Sequence, residues 1–322
     1  VRHGLSSVLT QQARLCQAAP AVLDADDSDA PSVVSTGRCG ERSLTKLRRT
    51  LRTWLVSGMT GLLILQTQMA AGAPPDKIDH AAINARVIDK HVVPRLEALA
   101  RTATTLGPAI VGLCMAGTQD DAAKVRGAFR DTATALASVD FYRFGPLAEQ
   151  GRREKLAFWP DPRGVVARQL RQMTAAADAS VVEADAIARQ SAALQGLPAL
   201  EQLIVDETTP LSPAAEAQFR CKLAQAIAGN VAALSQDVLR GWTAPDGMRA
   251  RMLGAGPDNP MYKSHSEASA EFVKSLLTGL QVVAELQLKP RIAGKGPGSK
   301  GPYGKLGLER DVYTAAVESL RE

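Results

Sequence analysis

Apolar positions along this chain recur with the period of a helix. In residues 119–139, Val125, Phe129, Leu136 and Val139 fall three, four or seven apart and share one helix face. Ser212 followed by Pro213 reads as a helix start, a serine cap ahead of a proline suited to the first turn. Beyond it, Phe219, Leu223, Ile227, Val231, Leu234 and Val238 mark a helix running to about Arg240. Phe272, Leu276, Leu280, Val283 and Leu286 mark another. Residues 76–106 and 165–195 also read as helix, with Pro94 expected to kink or break the first, and 107–116 reads as a short apolar helix. No stretch alternates with period two among β-branched residues. The predicted fold is therefore all-α, as two four-helix-bundle-like halves packed together. The helical domain spans 74–290, with the boundary between halves near 196–212.

Two segments break the period, at 140–164 and 241–265. Residues 291–307, which contain "AGKGPGSKGPYGKLG" (293–307), have the composition of a flexible linker. Residues 308–322 resume a helical pattern that carries no stop signal, so the terminal helix reads as truncated ahead of a packed partner.

Near the front, "KLRRTLRTWLVSGMTGLLILQTQMAAGAPP" places a basic head before a short apolar core and then small residues. That order predicts a signal peptide at 46–73. The apolar run falls short of the roughly 20 residues a membrane-spanning helix needs. No cysteine closes the core, so a lipoprotein is not expected. Residues 1–45 show no periodicity and remain unassigned, as an upstream start or a short tail. The expectation is a periplasmic protein whose signal peptide engages the membrane only during export. Of the four cysteines, Cys114 and Cys221 follow the leader. In an oxidising compartment they form either one disulfide or two buried thiols.

The net charge of +5 changes little. Residues 1–73 hold eight of the basic and five of the acidic side chains, so the remainder is nearly balanced. With no basic face bearing stacking aromatics, nucleic acid is not an expected partner.

Candidate chemistry gathers at two proline-marked breaks. The 140–164 segment carries Phe141, Tyr142, Phe144, Phe158 and Trp159, which favour packing over exposure. Arg143, Asp161 and Arg163 would be carried with them. They form either the wall of a ligand site, where arginine grips carboxylate or phosphate, or an internal ion pair that pins the loop. The second break is "QGLPALEQL" (195–203). There Gly196 can end one helix, Pro198 fits the first turn of the next, and Glu201 near that start suits the helix dipole.

"FYRFGPL" (141–147), "FWPDPRG" (158–164), "QGLPALEQL" (195–203) and "CKLAQAIAGNVAAL" (221–234) together resemble the imelysin family, over about residues 80–290. The resemblance implies an exported all-α protein of two bundle-like halves, linked to bacterial iron uptake and classed by name with metallopeptidases. The family hallmark Gly-x-His-x-x-Glu reads here as Gly196, Pro198 and Glu201. Proline offers no lone pair and no proton, so the histidine's role cannot transfer. A zinc hydrolase needs about three protein ligands and a base. Iron binding can use carboxylates with an imidazole. Glu201 and His91 are the candidate metal ligands, with Glu97, His265 and Glu267 behind them, although His91 and His265 also read as ordinary helix-edge histidines. In His265's case Ser266 is the expected cap.

These readings predict a non-catalytic periplasmic binding protein with iron as candidate ligand and membrane-associated metal-uptake components as candidate partners. Its ligand site would comprise Arg143, Trp159, Asp161, Arg163, Gly196 and Glu201. The alternatives are a helical interaction module for an envelope partner, and a metallopeptidase. The central expectation is geometric: the two breaks meet and line one pocket.

Overall fold

The computed structural model describes residues 78–183, 185–294 and 301–322. The predicted signal peptide, the unassigned leader, Cys16 and Cys39 lie outside them.

The described residues hold helices and no strand, as expected of an all-α protein. A first helix, α1 (His80–Val87), passes through a π-wound segment (Ile88–Val92) into α2 (Val93–Ala116). Pro94 therefore does not end the helix. It sits at the start of α2, directly after the π turn, where the wider winding relieves the i−4 carbonyl that a proline would otherwise meet. Gly117 closes α2 in the left-handed region at φ 68°, its N–H on the Leu113 carbonyl at 2.9 Å. Thr118 then caps α3 (Gln119–Ala137) by accepting from the Asp121 N–H at 3.1 Å.

Short elements follow: α4 (Arg152–Leu156), α5 (Val165–Ala176), α6 (Ala192–Gln195) and α7 (Leu197–Ile204). The long α8 (Gln218–Thr243) starts later than Ser212-Pro213 predicted, after a 3-10 turn at Ala215–Ala217. Pro213 instead lies against Gly117, where a Cβ would meet its ring at 2.8 Å. Helix α9 (Met248–Leu253), α10 (His265–Gln281), a second π-wound segment (Val282–Leu288), α11 (Lys289–Ala293) and α12 (Glu309–Arg321) complete the order.

Helix α2 packs along both α3 and α8, with α7 against α8 and α12 against α3. A second group forms from α1, α9 and α10, with α9 also against α8. Buried apolar residues from either side of 196–212, such as Leu99, Phe129, Ile227 and Trp242, belong to one continuous core. A disulfide joins Cys114 near the end of α2 to Cys221 near the start of α8, closing a separation of 107 residues.

The expected linker differs from its composition. Residues 301–307 form a packed turn in which Tyr303 is 6% exposed and meets Phe129 edge-on at 5.4 Å. The 301–303 backbone lies so close to α12 that a Cβ on Gly301 would overlap the Tyr313 ring. Glycine thus serves close approach here as much as freedom.

Candidate functional site

The 140–164 segment packs onto the bundle as its aromatics demand. Phe141, Tyr142 and Phe144 are buried beside Trp242 and Phe272, with the Phe144 and Trp242 rings 5.7 Å apart. The segment is pinned by charge, but the pin is Asp140 and not Asp161. Arg153 Nε lies 2.8 Å from Asp140, and Arg143 lies 3.8 Å from the same carboxylate. Burial pulls the Arg143 guanidinium below its usual range, while Asp140 opposes that. The Arg143 Nε is buried without a hydrogen-bond partner.

Arg143 and Trp159 do line one cavity, of about 50 Å³, together with Asp140, Arg153, Pro302 and Tyr303. Otherwise its walls are apolar, with Phe141 among aliphatic side chains. At roughly 10–15 Å³ per water, that is room for a few waters or one small polar group.

Asp161 and Arg163 do not join it. Asp161 accepts from the Val165 and Val166 N–H groups at 2.8 and 2.9 Å, capping the start of α5. Arg163 is exposed, and its carbonyl accepts from Arg168.

Gly196 does not end its helix in the left-handed region. Its backbone is extended, at φ −128°, and it stands as the cap before α7. Glycine is needed there because a Cβ would lie 2.2 Å from the Lys155 carbonyl oxygen and 2.3 Å from that of Leu156. The two proline-marked breaks therefore do touch, backbone to backbone. Pro198 falls in the first turn of α7, as expected. Glu201 lies beyond that turn, so the helix dipole does not explain it.

What explains Glu201 is the packed turn. Its Oε1 accepts from the N–H groups of Lys305 and Leu306 at 3.0 and 3.2 Å, and the side chain is 6% exposed. Burial raises its carboxyl above the ordinary range, and the two amide bonds pull the other way. Glu201 and the cavity thus stand on opposite sides of one turn: Pro302 and Tyr303 face the cavity, while Lys305 and Leu306 hold the carboxylate. The geometry reports a contact between the breaks, with the 301–306 turn interposed where one shared pocket was expected.

His91 lies on the first π-wound segment with both ring nitrogens engaged. Nδ1 meets the Tyr142 hydroxyl at 2.5 Å, and Nε2 meets the Ser319 carbonyl at 2.8 Å. A carbonyl only accepts, so Nε2 carries the proton and Nδ1 accepts from Tyr142. Burial lowers the His91 pKa and keeps the ring neutral. The single ring lone pair, on Nδ1, is thus taken by Tyr142, and neither nitrogen is left for a metal. His265 opens α10, whose cap is Ser264 and not Ser266: Ser264 Oγ accepts from the Glu267 N–H at 3.2 Å. Glu267 in turn accepts at 2.6 Å from the N–H of Lys263, the residue before the cap. Among the described residues no three His, Cys, Asp or Glu side chains gather to hold a metal ion.

Sequence reasoning missed Asp140, Arg153, Tyr303 and the Lys305–Leu306 amides. The one available signal was a lone tyrosine inside a glycine-rich stretch.

The sequence pattern of the family described as Imelysin matches residues 92–305. This chain belongs to the imelysin family. Two solved structures share its fold. One is an imelysin-like protein from Psychrobacter arcticum 273-4, at 19% identity and a TM-score of 0.61, covering 75% of this chain and 72% of that one. The other is a putative iron-regulated protein A precursor from Parabacteroides distasonis, at 16% identity and a TM-score of 0.61, covering 78% and 74%. No curated protein matches the sequence. Within this imelysin chain the hallmark stretch serves as a packing junction: Gly196 admits α4, Pro198 opens α7, and Glu201 fastens the 301–306 turn.

Proposed function

We propose that this imelysin is exported to the periplasm and serves there in iron uptake as a binding protein that performs no covalent chemistry. It takes its ligand at the mouth of the Arg143–Trp159 cavity and hands it to membrane-associated uptake components. Family membership and the iron-regulated name of one structural relative support the link to iron. The observation that carries the reading is Arg143. Its guanidinium stands 3.8 Å from Asp140 and its Nε is buried without a hydrogen-bond partner, at a cavity that Asp140 and Arg153 also line. Glu154 joins Asp140 in balancing the pair of arginines, at 3.4 Å from Arg153, so what Arg143 offers a carboxylate is the unpartnered Nε–H. The residues expected to hold a bare ion do not fit that task, since Glu201 and His91 are already bonded. The ligand is accordingly an iron chelate that presents carboxylates.

Calorimetric titration with ferric citrate tests this. Heat should appear with the native protein, disappear in Arg143→Ala, and persist in Glu201→Gln. No heat with the native protein, or equal heat in Arg143→Ala, would sink the proposal. Chelator-sensitive cleavage of casein by the pure protein would overturn its non-catalytic part.

A further inference from the structure

Four segments enclose a cavity of about 380 Å³ that shares no residue with the one at Arg143. Helix α5 gives Leu170 and Arg171, with Ala167 and Thr174 one turn away on the same face. The stretch after α7 gives Val205, Asp206 and Glu207, α8 gives Arg220 near its start, and the packed turn gives Lys305. The 301–306 turn divides the two cavities, since Pro302 and Tyr303 line the first and Lys305 lines the second. The volume lies within the roughly 300–1,000 Å³ of small-molecule pockets.

Asp206 is already spent. Its Oδ1 accepts from the Thr208 N–H and hydroxyl at 3.0 and 2.6 Å, and its Oδ2 accepts from Arg220 Nη2 at 3.0 Å. That bond leaves most of the Arg220 guanidinium uncommitted. Arg220 is 9% exposed, and its Nε is buried without a hydrogen-bond partner. A buried donor left unmade is costly, and a charged one more so. Arg171 and Glu207 are exposed at the same cavity, and among the described residues neither side chain forms an ion pair. Cations and a carboxylate thus face one space without meeting across it. A plain anion drawn to Arg220 would be opposed by Asp206 and Glu207. A ligand that carries both signs answers each side.

We propose that this cavity binds a free amino acid with an aliphatic side chain. The ligand's carboxylate takes the open donors of Arg220 and Arg171, because a guanidinium offers parallel N–H bonds matched to a carboxylate. Its ammonium lies against Glu207. Its side chain lies against Ala167, Leu170 and Val205, the apolar part of the wall. Each buried charge is then paired, as burial requires.

Calorimetric titration of the purified native chain with L-leucine and L-valine tests the assignment. Both should give saturable heat. Leucinamide, which lacks the carboxylate, and isocaproate, which lacks the amine, should each bind at least tenfold more weakly than L-leucine. Arg220→Gln and Arg171→Gln should each weaken L-leucine at least tenfold; Arg171 is exposed, so its variant keeps native circular dichroism even where Arg220→Gln does not fold. Glu207→Gln should weaken L-leucine and leave isocaproate unchanged. Arg143→Ala should bind L-leucine as the native protein does, so this site and the iron-chelate site stand or fall separately. No heat with either amino acid overturns the proposal. So does native affinity in Arg171→Gln or Glu207→Gln. Isocaproate or inorganic phosphate binding as tightly as L-leucine overturns it too, and would assign the cavity to anions alone.

Discussion

Replacing Glu201 by alanine removes the acceptor for two backbone N–H groups, those of Lys305 and Leu306. A buried donor left unsatisfied costs about 1–3 kcal/mol, so two cost roughly 2–6 kcal/mol on the same basis. For a domain of this size each kcal/mol lowers the melting temperature by about 2–4 °C. Glu201→Ala should therefore melt roughly 4–24 °C below the native protein. Glu201→Gln keeps a carbonyl oxygen where Oε1 stood and should lie within about 1 kcal/mol of native. The two variants also separate by pH. Because burial raises the folded pKa of Glu201, the folded state holds its proton more tightly than the unfolded chain. That contribution is fully present below the ordinary value of 4.5 and is lost as pH rises through the folded value. Glu201→Gln should remove this component of the stability–pH curve. The assay is thermal unfolding by circular dichroism at several pH values. A Glu201→Ala protein as stable as native, with Glu201→Gln equal to it, would refute the claim that this carboxylate is a fastener.

Gly196→Ala should cost at least about 3 kcal/mol, the upper end of overpacking, because its Cβ meets fixed backbone oxygens; urea unfolding measures it. Cys114→Ser with Cys221→Ser should lose about 4–5 kcal/mol by the chain-entropy relation for a loop of this length, read from the same curves. His91 has a lowered folded pKa, so its contribution is present above 6.5 and lost as pH falls through the folded value. Hydrogen exchange should show α12 losing protection on acidification, and His91→Gln should blunt that response. Asp206, held down to about 2 first by its Thr208 hydrogen bonds, contributes stability above 3.8 that is lost as pH falls toward 2; Asp206→Asn should flatten the acid limb of the unfolding curve.

The helices were legible because their determinants are local. Val125 and Phe129 announce α3, and Phe219 to Val238 announce α8, through spacing alone. The disulfide could be named as one of two outcomes because compartment and cysteine count are properties of the whole chain. The partner of Glu201 was not legible, since it lies 104 residues away in a segment whose glycines read as slack. Pro94 misled for a related reason: a single proline signals a break, and the π turn that absorbs it has no spacing of its own. Asp161 and Asp140 are indistinguishable by type. Only the path of the chain decides that one caps α5 and the other grips Arg153.

The bond from His91 to Ser319 spans 228 residues. A chain emerging from the ribosome cannot close that link until almost all of this sequence has been made. Until then His91 and the aromatic layer around Tyr142 lack their contact with α12. Closure of this kind ties the packing of the first described helices to the arrival of α12.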